Sequence, residues 1–565
     1  MYEHLTKAAK DALSKQFGVV PDVVWEYTQG PDRGDVSTCI ALQIAKNVKS
    51  SPRAVAEVVE EALKGLKGVE RTEIAGSGYV NVWLTPDELL KGLIQTRTAC
   101  TAKVKRKKEA PIIIDYCGPN IAKPLGIHHI LSHVVGQAMI NLYRHGGYNV
   151  IGWSYPGDWG TQFGKLFVAY EKWGSKKPVI KYSVDELLSL YVRFHQEAEE
   201  NPSLEDDARK VFAKMEAGDK TLRTFWREVV EISRKDLEKL YARLQIHVDI
   251  ETGESFYEEK MNPILEEGQK KGVVTRGEGG ALIVEFSAEK NLPPMMLKKS
   301  DGSTLYATRD LAMVRYRLDE YDPKALYYVV DVAQSLHFQQ LEAACELFGW
   351  KMPAFEHVYF GRMRFADASM STRKGTVIRL EDALDEGVRR AAEIIRERGE
   401  GIQTDAPEVL AEMMGIGALV YGILSQNRKM DIIFDWNKML SFEGNSAPYL
   451  QYTHARSRSV LRKANQKNIV NFPTVDRLSA SERKLIGTLL QFALILDEAC
   501  VTHMPHKLAH YLYALCQDYN AFYNAEPILQ AAEPSRTLRL SLTACAADVL
   551  KTGAELLTLR VPDRM

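Results

Sequence analysis

Hydrophobic residues change their spacing twice along the chain, which predicts three regions of different architecture. Residues 1 to about 100 contain three stretches of helical periodicity and a strand-like segment from residue 76, so they predict a compact α+β unit. From residue 111 onward, short apolar runs alternate with helical patterns, as in a parallel sheet covered by helices. Beyond residue 442 the strand patterns end, and amphipathic helices up to residue 557 predict an all-α domain.

The middle region carries the alternation of strands and helices. Its first helical pattern, residues 128–147, closes on two glycines, as helices commonly do. A charged helical stretch at about residues 185–245 interrupts the alternation and predicts an insertion. Four apolar runs predict strands: IIID (112–115), YNVIGW (148–153), ALIVEF (281–286) and LYYVVDV (326–332).

These patterns predict an α/β protein with three domains. At 565 residues the chain is too long for a single hydrophobic core. We predict an N-terminal α+β domain with a lysine-rich linker over residues 1–108, a Rossmann-like parallel-sheet domain over 109–441 and a C-terminal helical bundle over 442–565.

Composition narrows the class of protein. With 45% hydrophobic and 26% charged residues the chain is expected to be globular and soluble, and the formal net charge of −1 provides no general basic field for nucleic acid. Basic clusters at 103–108 and 456–467 are local, and each alone is more often a solvated surface. Seven scattered cysteines without a C-x-x-C pair favour a reducing cytoplasm, and no apolar run suggests export or a membrane span.

The most informative segment is DYCGPNIAKPLGIHHILSH, residues 115–133. It joins an apolar strand to a helix through a polar turn with Asn120, Lys123, His128 and His129, and the N-terminus of a helix favours bound phosphate. A helix cap and exposed histidines are the ordinary alternative. A zinc site is disfavoured because no cysteine or carboxylate follows at ligand spacing, so no metal ligands are assigned.

A second group of residues suits a cation. Tyr306 and Asp310 lie four residues apart in a helical pattern and share a face, while Gln334 follows a strand at the end where ligands of parallel sheets bind. They predict a pocket for a planar, positively charged group, although a surface pair is the alternative for Tyr306 and Asp310. The glycine-rich segment GDWGTQFG (157–164) would let the backbone approach a ligand closely and form one wall of the site; the alternative is that it forms only a tight turn.

A third signal is the loop DASMSTRKGTVIRLED, residues 367–382. It carries small hydroxyl residues with a glycine and two cations, a composition typical of mobile loops that close over phosphates. Its candidate residues are Met370, Ser371, Arg373 and Lys374.

Together these segments resemble the arginyl-tRNA synthetases, which are class I enzymes, over nearly the whole chain. The resemblance rests on PNIAKP, GDWGTQFG, Tyr306 and Asp310 with Gln334, MSTRKG, and FEGNSAPYLQYTHAR (442–456). It implies an arginine–tRNA ligase that activates arginine with ATP to arginyl-adenylate, with release of pyrophosphate, and then transfers the arginyl group to the terminal adenosine of tRNA(Arg). The N-terminal domain would contact tRNA, and the bundle would bind the anticodon.

The resemblance also implies roles for single residues. Asn120, Tyr306, Asp310 and Gln334 would bind arginine, with Asp310 facing the guanidinium. ATP would contact Gly126, His128, His129, Met370 and Ser371, and the catalytic cations would be Lys123, His129, Arg373 and Lys374. Arginine, ATP with Mg²⁺ and tRNA(Arg) are the expected partners, with no tightly bound cofactor, no membrane association and a monomeric state.

Four positions depart from the family pattern. Where the family has His-x-Gly-His, this chain has Gly126, Ile127, His128 and His129. Either His128 turns outward and the backbone shifts, or ATP binding is impaired. Ser369 stands where the loop's first lysine is expected, a loss for which Lys123 is expected to compensate, and Gly118 replaces a serine.

Two other functions remain open from the sequence. One is a tRNA-binding paralogue with impaired adenylate formation, and the sequence feature that distinguishes it from an active ligase is the turn at 126–129. Another class I synthetase is disfavoured by Tyr306, Asp310 and Gln334. For base stacking, Tyr513, Tyr519, Phe522 and Tyr523 are candidates, although aromatic residues at helical spacing more often belong to a core.

Overall fold

The computed structural model of the chain describes residues 2–28, 33–101, 107–300, 303–365, 378–465 and 472–565. The helices are α1 (Glu3–Phe17), α2 (Ile40–Ile44), α3 (Pro52–Leu63), α4 (Pro86–Thr101), α5 (Ile130–His145), α6 (Thr161–Trp173), α7 (Val184–Glu200), α8 (Ser203–Glu216), α9 (Lys220–Leu244), α10 (Glu258–Lys270), α11 (Tyr306–Tyr321), α12 (Ser335–Leu347), α13 (Leu380–Arg398), α14 (Pro407–Leu424), α15 (Trp436–Met439), α16 (Ala447–Lys463), α17 (Ala480–Leu490), α18 (Phe492–Val501), α19 (Pro505–Ala525) and α20 (Ser535–Leu556). The strands are β1 (Glu26–Tyr27), β2 (Val36–Thr38), β3 (Val69–Ala75), β4 (Tyr79–Leu84), β5 (Ile112–Cys117), β6 (Val150–Ser154), β7 (Ile250–Glu251), β8 (Val274–Arg276), β9 (Leu282–Val284), β10 (Met295–Lys298), β11 (Ala325–Tyr328), β12 (Ala354–His357), β13 (Met363–Phe365) and β14 (Ile432–Phe434).

A five-stranded parallel sheet lies at the centre, in the order β12-β11-β5-β6-β7. All of its strand pairs are parallel, and every residue of the central strand β5 is buried. Burial on both faces explains why β5 is a continuous apolar run rather than an alternating one. The predicted α/β class is confirmed, and the carboxyl ends of all five strands meet at one edge.

One predicted strand belongs to a different sheet. Residues 282–284 of the ALIVEF run form β9, which pairs antiparallel with β8 and β10 in a separate three-stranded sheet. A parallel connection needs a crossover of a dozen or more residues, and the short turn between β8 and β9 does not provide one. The expectation that ALIVEF continues the parallel alternation is therefore wrong.

The predicted insertion consists of α7, α8 and α9. Apolar residues of these helices and of α6 form a core of their own, which includes Phe163, Leu187, Phe194, Phe212 and Phe225. The insertion therefore extends the parallel-sheet domain next to the turn that follows β5.

The N-terminal region is an antiparallel sheet in the order β1-β2-β4-β3, with α1 and α3 packed together beside it. Helix α4 leaves this unit and packs on α17 and α20 of the helical bundle, where Arg97 and Asp548 form an ion pair at 2.8 Å. Arg483 of α17 also pairs with Asp35 at 2.6 Å and with Glu70 at 2.7 Å. These contacts join the first and last regions of the chain.

Helices α16 to α20 form the predicted all-α region. In the FEGNSAPYLQYTHAR segment, Gln451 donates to the carbonyl of Arg560 and His454 lies 2.8 Å from the carbonyl of Pro562, so α16 holds the C-terminal residues.

One described helix, α14, is long and apolar enough to span a membrane. Most of α14 is buried against neighbouring helices, as in the core of a globular protein.

A buried ion pair connects the central strand to α11. The Asp115 carboxylate at the end of β5 accepts a hydrogen bond from Arg317 at 2.6 Å, and Arg317 is completely buried. The guanidinium also lies 4.5 Å from the ring centre of Trp153. Because α11 begins at Tyr306, this pair fixes the helix of the predicted cation pocket against the strand of the predicted phosphate turn.

We predict that Arg317→Met lowers the free energy of unfolding by about 3–5 kcal/mol, because it leaves the Asp115 carboxylate buried without a partner. The double variant Asp115→Asn with Arg317→Met removes both charges and is expected to be clearly less destabilised. Urea titrations followed by tryptophan fluorescence measure both values. Equal losses in the single and double variants would contradict this account of the pair.

Candidate active site

The candidate site lies along the carboxyl edge of the parallel sheet. The turn after β5 provides Asn120, Lys123 and the residues up to His129, and the turn after β7 provides Glu254. Helix α11 starts with Tyr306, and Gln334 follows β11. Residues distant in sequence thus reach one edge because their strands are parallel neighbours.

Backbone contacts fix the first half of the turn after β5. Asn120 and Gly157 form a parallel bridge that extends the pairing of β5 and β6, and the Ile121 N–H donates to the Gly157 carbonyl at 3.3 Å. A Cβ at Gly157 would lie 3.0 Å from Oδ1 of Asn120, so glycine lets the amide side chain lie against the backbone. Ala122 adopts a left-handed conformation at φ +63°, and its N–H donates to Oγ of Ser233 at 3.0 Å.

Asn120 and Lys123 are both exposed and line a small cavity of about 80 Å³ together with Gln162 and Tyr191. The ammonium of Lys123 lies 4.6 Å from the ring centre of Tyr191. The amide and the cation are therefore open to a ligand at the edge of the sheet.

The second half of the turn holds His129 in a defined state. Nδ1 of His129 lies 2.9 Å from the backbone nitrogen of Gly126 and 3.1 Å from its carbonyl oxygen. The shorter contact is an N–H that donates to Nδ1, and with this bond Nε2 carries the proton of the neutral ring. Burial and the neighbouring His128 imidazole lower the pKa of His129 to about 4. His129 is therefore neutral near pH 7 and offers one N–H to a ligand.

His128 is exposed, and its ring centre lies 4.0 Å from that of His129. The side chain thus points outward from the turn, which agrees with the first of the two outcomes expected for this position. Both ring nitrogens of His133 face protein atoms, with Nδ1 2.7 Å from the His129 carbonyl and Nε2 3.3 Å from the Tyr241 hydroxyl. His129 and His133, which lie four residues apart in the sequence, are accordingly not arranged as a metal site.

The same turn is connected to the end of the predicted flexible loop. The N–H of Ile127 donates to the carbonyl of Ile378, and the N–H of Leu380 donates to that of Leu125, both at 2.8 Å. The predicted loop residues Met370, Ser371, Arg373 and Lys374 lie outside the described residues.

The cation pocket is built at the start of α11. Asp310 is mostly buried, and its Oδ2 lies 2.6 Å from Nε2 of His337. Tyr306 is 56% exposed, and its ring meets the His337 imidazole edge-on at 4.8 Å between ring centres. Gln334, one turn before His337 at the start of α12, is exposed.

The sequence did not identify His337 as a site residue. It stands three positions after Gln334 in the DVAQSLHF segment, so its helical spacing was the available signal. Its contact with Asp310 is made through space between two helices, which the local pattern does not predict.

Negative charge exceeds positive charge around the pocket. Glu254 pairs with Arg309 at 3.3 Å, and Glu258 lies 3.9 Å from the same guanidinium. Burial raises the pKa of Glu254 to about 7, and the nearby carboxylates, Asp310 first among them, add to this rise against the opposing effect of Arg309. A bound cation would relieve this repulsion, which makes the pocket suitable for a guanidinium.

In the glycine-rich turn at 157–164, the Asp158 carboxylate does not line the site but stabilises a neighbouring turn. Asp158 is buried and accepts hydrogen bonds from the N–H and the hydroxyl of Ser255 at 2.8 and 2.7 Å. Gly253 leaves room for this carboxylate, since a Cβ there would approach it to 2.3 Å. Asp158 therefore fixes the turn that carries Glu254.

Comparisons with known families agree with this geometry. The family described as "tRNA synthetases class I (R), catalytic domain" matches residues 90–436. The "Arginyl tRNA synthetase N terminal domain" matches residues 3–84, and the "DALR anticodon binding domain" matches residues 450–565. The chain belongs to the arginyl-tRNA synthetases.

Individual relatives extend over nearly the whole length of this arginyl-tRNA synthetase. The arginine–tRNA ligase of Fusobacterium nucleatum is 38% identical, covering 94% of this chain and 93% of that protein. The arginine–tRNA ligase of Alkaliphilus metalliredigens is 37% identical over 93% and 92%. The structure of Thermus thermophilus arginyl-tRNA synthetase matches with a TM-score of 0.82 and 25% identity, covering both chains completely.

The chain is thus an ATP-dependent arginine–tRNA ligase, with arginine, ATP and tRNA as its substrates. The matches span both the catalytic and the anticodon-binding regions. Nothing in the described residues or the comparisons favours a paralogue with impaired adenylate formation.

We predict that arginine binding to this arginyl-tRNA synthetase weakens as the pH falls through about 7, because Glu254 then takes up a proton and the pocket loses negative charge. Glu254→Gln should abolish this dependence. The dissociation constant measured by titration calorimetry between pH 6 and 8 is expected to change about threefold or more in the native protein.

The matched control is Glu346→Gln, which removes a surface carboxylate paired with Lys290. Its pH profile should follow that of the native protein. A profile that stays the same in Glu254→Gln would show that another group is responsible.

Proposed function

We propose that the carboxyl edge of the parallel sheet carries out both steps of the ligase reaction, with the turn at 118–129 binding ATP and the start of α11 binding arginine. The observation that carries the proposal is electrostatic. An exposed lysine and a neutral histidine donor, Lys123 and His129, face the same edge as the carboxylates Asp310 and Glu254. An anionic and a cationic substrate can therefore meet there.

In the first step, a carboxylate oxygen of arginine attacks the α-phosphorus of ATP, and the bond to pyrophosphate breaks. In the second step, a hydroxyl of the terminal adenosine of tRNA, the 2′-hydroxyl as in other class I enzymes, attacks the carbonyl carbon, and AMP leaves. Positioning and charge stabilisation account for catalysis of this kind, since no covalent enzyme intermediate is required.

The arginine side chain would enter between Tyr306 and Asp310. His337 fixes one oxygen of Asp310, which holds the carboxylate in a defined orientation toward the guanidinium. Gln334 is exposed at the neighbouring strand end and would donate or accept a further hydrogen bond. Asn120, across the edge, would bind the amino or carboxylate group of arginine.

ATP would lie along the turn after β5. Gly126 and His128 would contact the nucleoside, while Nε2–H of His129 and the ammonium of Lys123 would reach the phosphates. From the loop, Met370 and Ser371 would contact ATP, and Arg373 and Lys374 would stabilise the leaving pyrophosphate; these four remain predictions from the sequence. Mg²⁺ would accompany ATP and be held mainly by phosphate oxygens.

For tRNA, the face of the bundle formed by α16 and α19 has suitable chemistry. The guanidinium of Arg456 lies 4.9 and 5.1 Å from the ring centres of Tyr452 and Tyr523, and Tyr523 is 38% exposed. Exposed aromatic rings and arginine stack with unpaired bases. Tyr519 and Phe522, two of the predicted stacking candidates, are fully buried and would serve the core instead.

This arrangement supports the predicted division into 1–108, 109–441 and 442–565, as a tRNA-contacting domain with its linker, a catalytic domain and an anticodon-binding domain. We further infer a monomer without membrane association or a tightly bound cofactor. Free thiols at all seven cysteines are consistent with the cytoplasm.

We expect Asp310→Ala to reduce arginine charging by about 100-fold or more, since it removes the carboxylate that faces the guanidinium. The affinities for ATP and tRNA should remain within about twofold. Aminoacylation of total tRNA with each amino acid in turn measures both activity and specificity. Asp319→Ala, on the same helix but exposed, is the control. Undiminished charging by Asp310→Ala, or no arginine incorporation by the native chain, would refute the proposal.

The turn at 126–129 departs from the family signature, and the effect of this departure on ATP use can be tested by rebuilding the signature with Gly126→His and His128→Gly. We expect the KM for ATP to change by less than about threefold, because the exchange keeps one glycine and two histidines in the turn, and every residue except proline provides the backbone N–H at position 126 that holds His129. Steady-state aminoacylation with varied ATP measures the effect, with His128→Gly alone as the control. A tenfold gain in kcat/KM would mean that the natural turn is a defect.

A further inference from the structure

Lys123 differs from other lysines of this region in what surrounds its charge. Lys165 lies 5.7 Å from the ring centre of Phe194 and Lys177 lies 4.4 Å from that of Tyr182, but each also forms an ion pair, with Glu205 and Glu186 respectively. Lys123 contacts the ring of Tyr191 at 4.6 Å, and no carboxylate of the described residues lies within 4.0 Å of its ammonium.

This difference matters for a residue that binds an anion. A carboxylate beside a lysine orients the ammonium but also neutralises its charge and competes with an incoming phosphate. An aromatic face attracts the ammonium through its quadrupole and adds no formal negative charge. The ring of Tyr191 therefore restricts the lysine while leaving its positive charge available.

The ring comes from the helical insertion rather than from the parallel sheet. Tyr191 lies on α7, and its partly buried ring is held edge-on by His195 at 4.7 Å between ring centres. It also lines the small cavity beside Asn120 and Gln162, so it stands between the insertion and the substrate edge.

The insertion contacts the residue before Lys123 as well. Ser233 on α9 is buried, and its Oγ accepts the N–H of Ala122 at 3.0 Å. At φ +63° Ala122 occupies the left-handed region that a residue with a Cβ adopts only when its surroundings impose it. Two helices of the insertion thus hold the backbone and the side chain of adjacent turn residues.

We propose that the helical insertion braces the ATP turn, and that Tyr191 is a positioning residue that directs an unneutralised Lys123 toward the phosphates of ATP. The inference rests on the proposed role of Lys123. It gives the insertion a function in substrate positioning in addition to its packing.

The test compares Tyr191→Leu, Tyr191→Phe, Lys123→Met and the double variant Lys123→Met with Tyr191→Leu, in the full chain with tRNA and arginine present. Steady-state aminoacylation yields the KM for ATP, the KM for arginine and kcat. Tyr191→Leu is expected to raise the KM for ATP by about three- to tenfold, the range of a partly desolvated cation–π contact, and to leave the KM for arginine within about twofold. Tyr191→Phe keeps the ring and should stay within about twofold for both.

The double variant decides whether Tyr191 acts through Lys123. In the Lys123→Met background, Tyr191→Leu should cause no further rise in the KM for ATP. The same rise in both backgrounds, or an equal loss in Tyr191→Phe and Tyr191→Leu, would overturn the positioning role. If Lys123→Met itself leaves the kinetics unchanged, the proposed role of Lys123 is wrong; if it lowers activity but Tyr191→Leu does not, only the present inference is wrong.

A matched control distinguishes positioning from loss of stability. Tyr182→Leu removes the lysine–tyrosine stack between Lys177 and Tyr182, which precedes α7 and involves none of the turn residues. We expect it to lower the melting temperature without raising the KM for ATP. A rise in that KM comparable to Tyr191→Leu would mean that any weakening of the insertion has the same effect, which would contradict a specific role for Tyr191.

Discussion

The site depends on the buried ion pair between Asp115 and Arg317. Asp115 lies in the central strand, which leads into the proposed ATP turn, and Arg317 lies on the helix that begins with the proposed arginine-binding residues. One charged contact therefore links the strand of the proposed ATP turn to the helix of the proposed arginine pocket. Because Arg317 is completely buried and Asp115 nearly so, the pair tolerates little displacement: separating it would leave two uncompensated charges in the core.

The two halves of the site then differ in their electrostatics. On the proposed ATP side, burial keeps His129 neutral, and Lys123 lies over an aromatic ring, so the turn offers donors and contains no carboxylate of its own. On the arginine side, Asp310, Glu254 and their neighbours share one internal guanidinium and hold surplus negative charge. This separation of charge directs an anionic phosphate to one half of the site and a cationic amino acid side chain to the other half.

The surrounding regions contribute through contacts that cross long stretches of sequence. The insertion contacts the proposed ATP turn through Ser233 and Tyr191, and the N-terminal region is joined to the bundle through Arg483. A tRNA must place its terminal adenosine at the active site and contact the helical bundle at the same time. Rigid connections between these regions of the protein therefore help to fix how the tRNA binds. The ligase activity is thus a property of the assembled chain rather than of the sheet domain alone.

The sequence by itself determined the class of fold and most of the chemistry, because hydrophobic periodicity and motif spacing are local properties. It predicted the strand that ends at the ATP turn, the helix face shared by Tyr306 and Asp310, the insertion and the C-terminal bundle. Only the tertiary structure decided which groups neutralise or orient these residues. Asp115 meets Arg317 across 202 residues and Asp310 meets His337 across 27, distances that no local pattern encodes. The separate sheet containing β9, the outward position of His128 and the low pKa of His129 have the same origin, since burial and through-space charge arise only after the chain has packed.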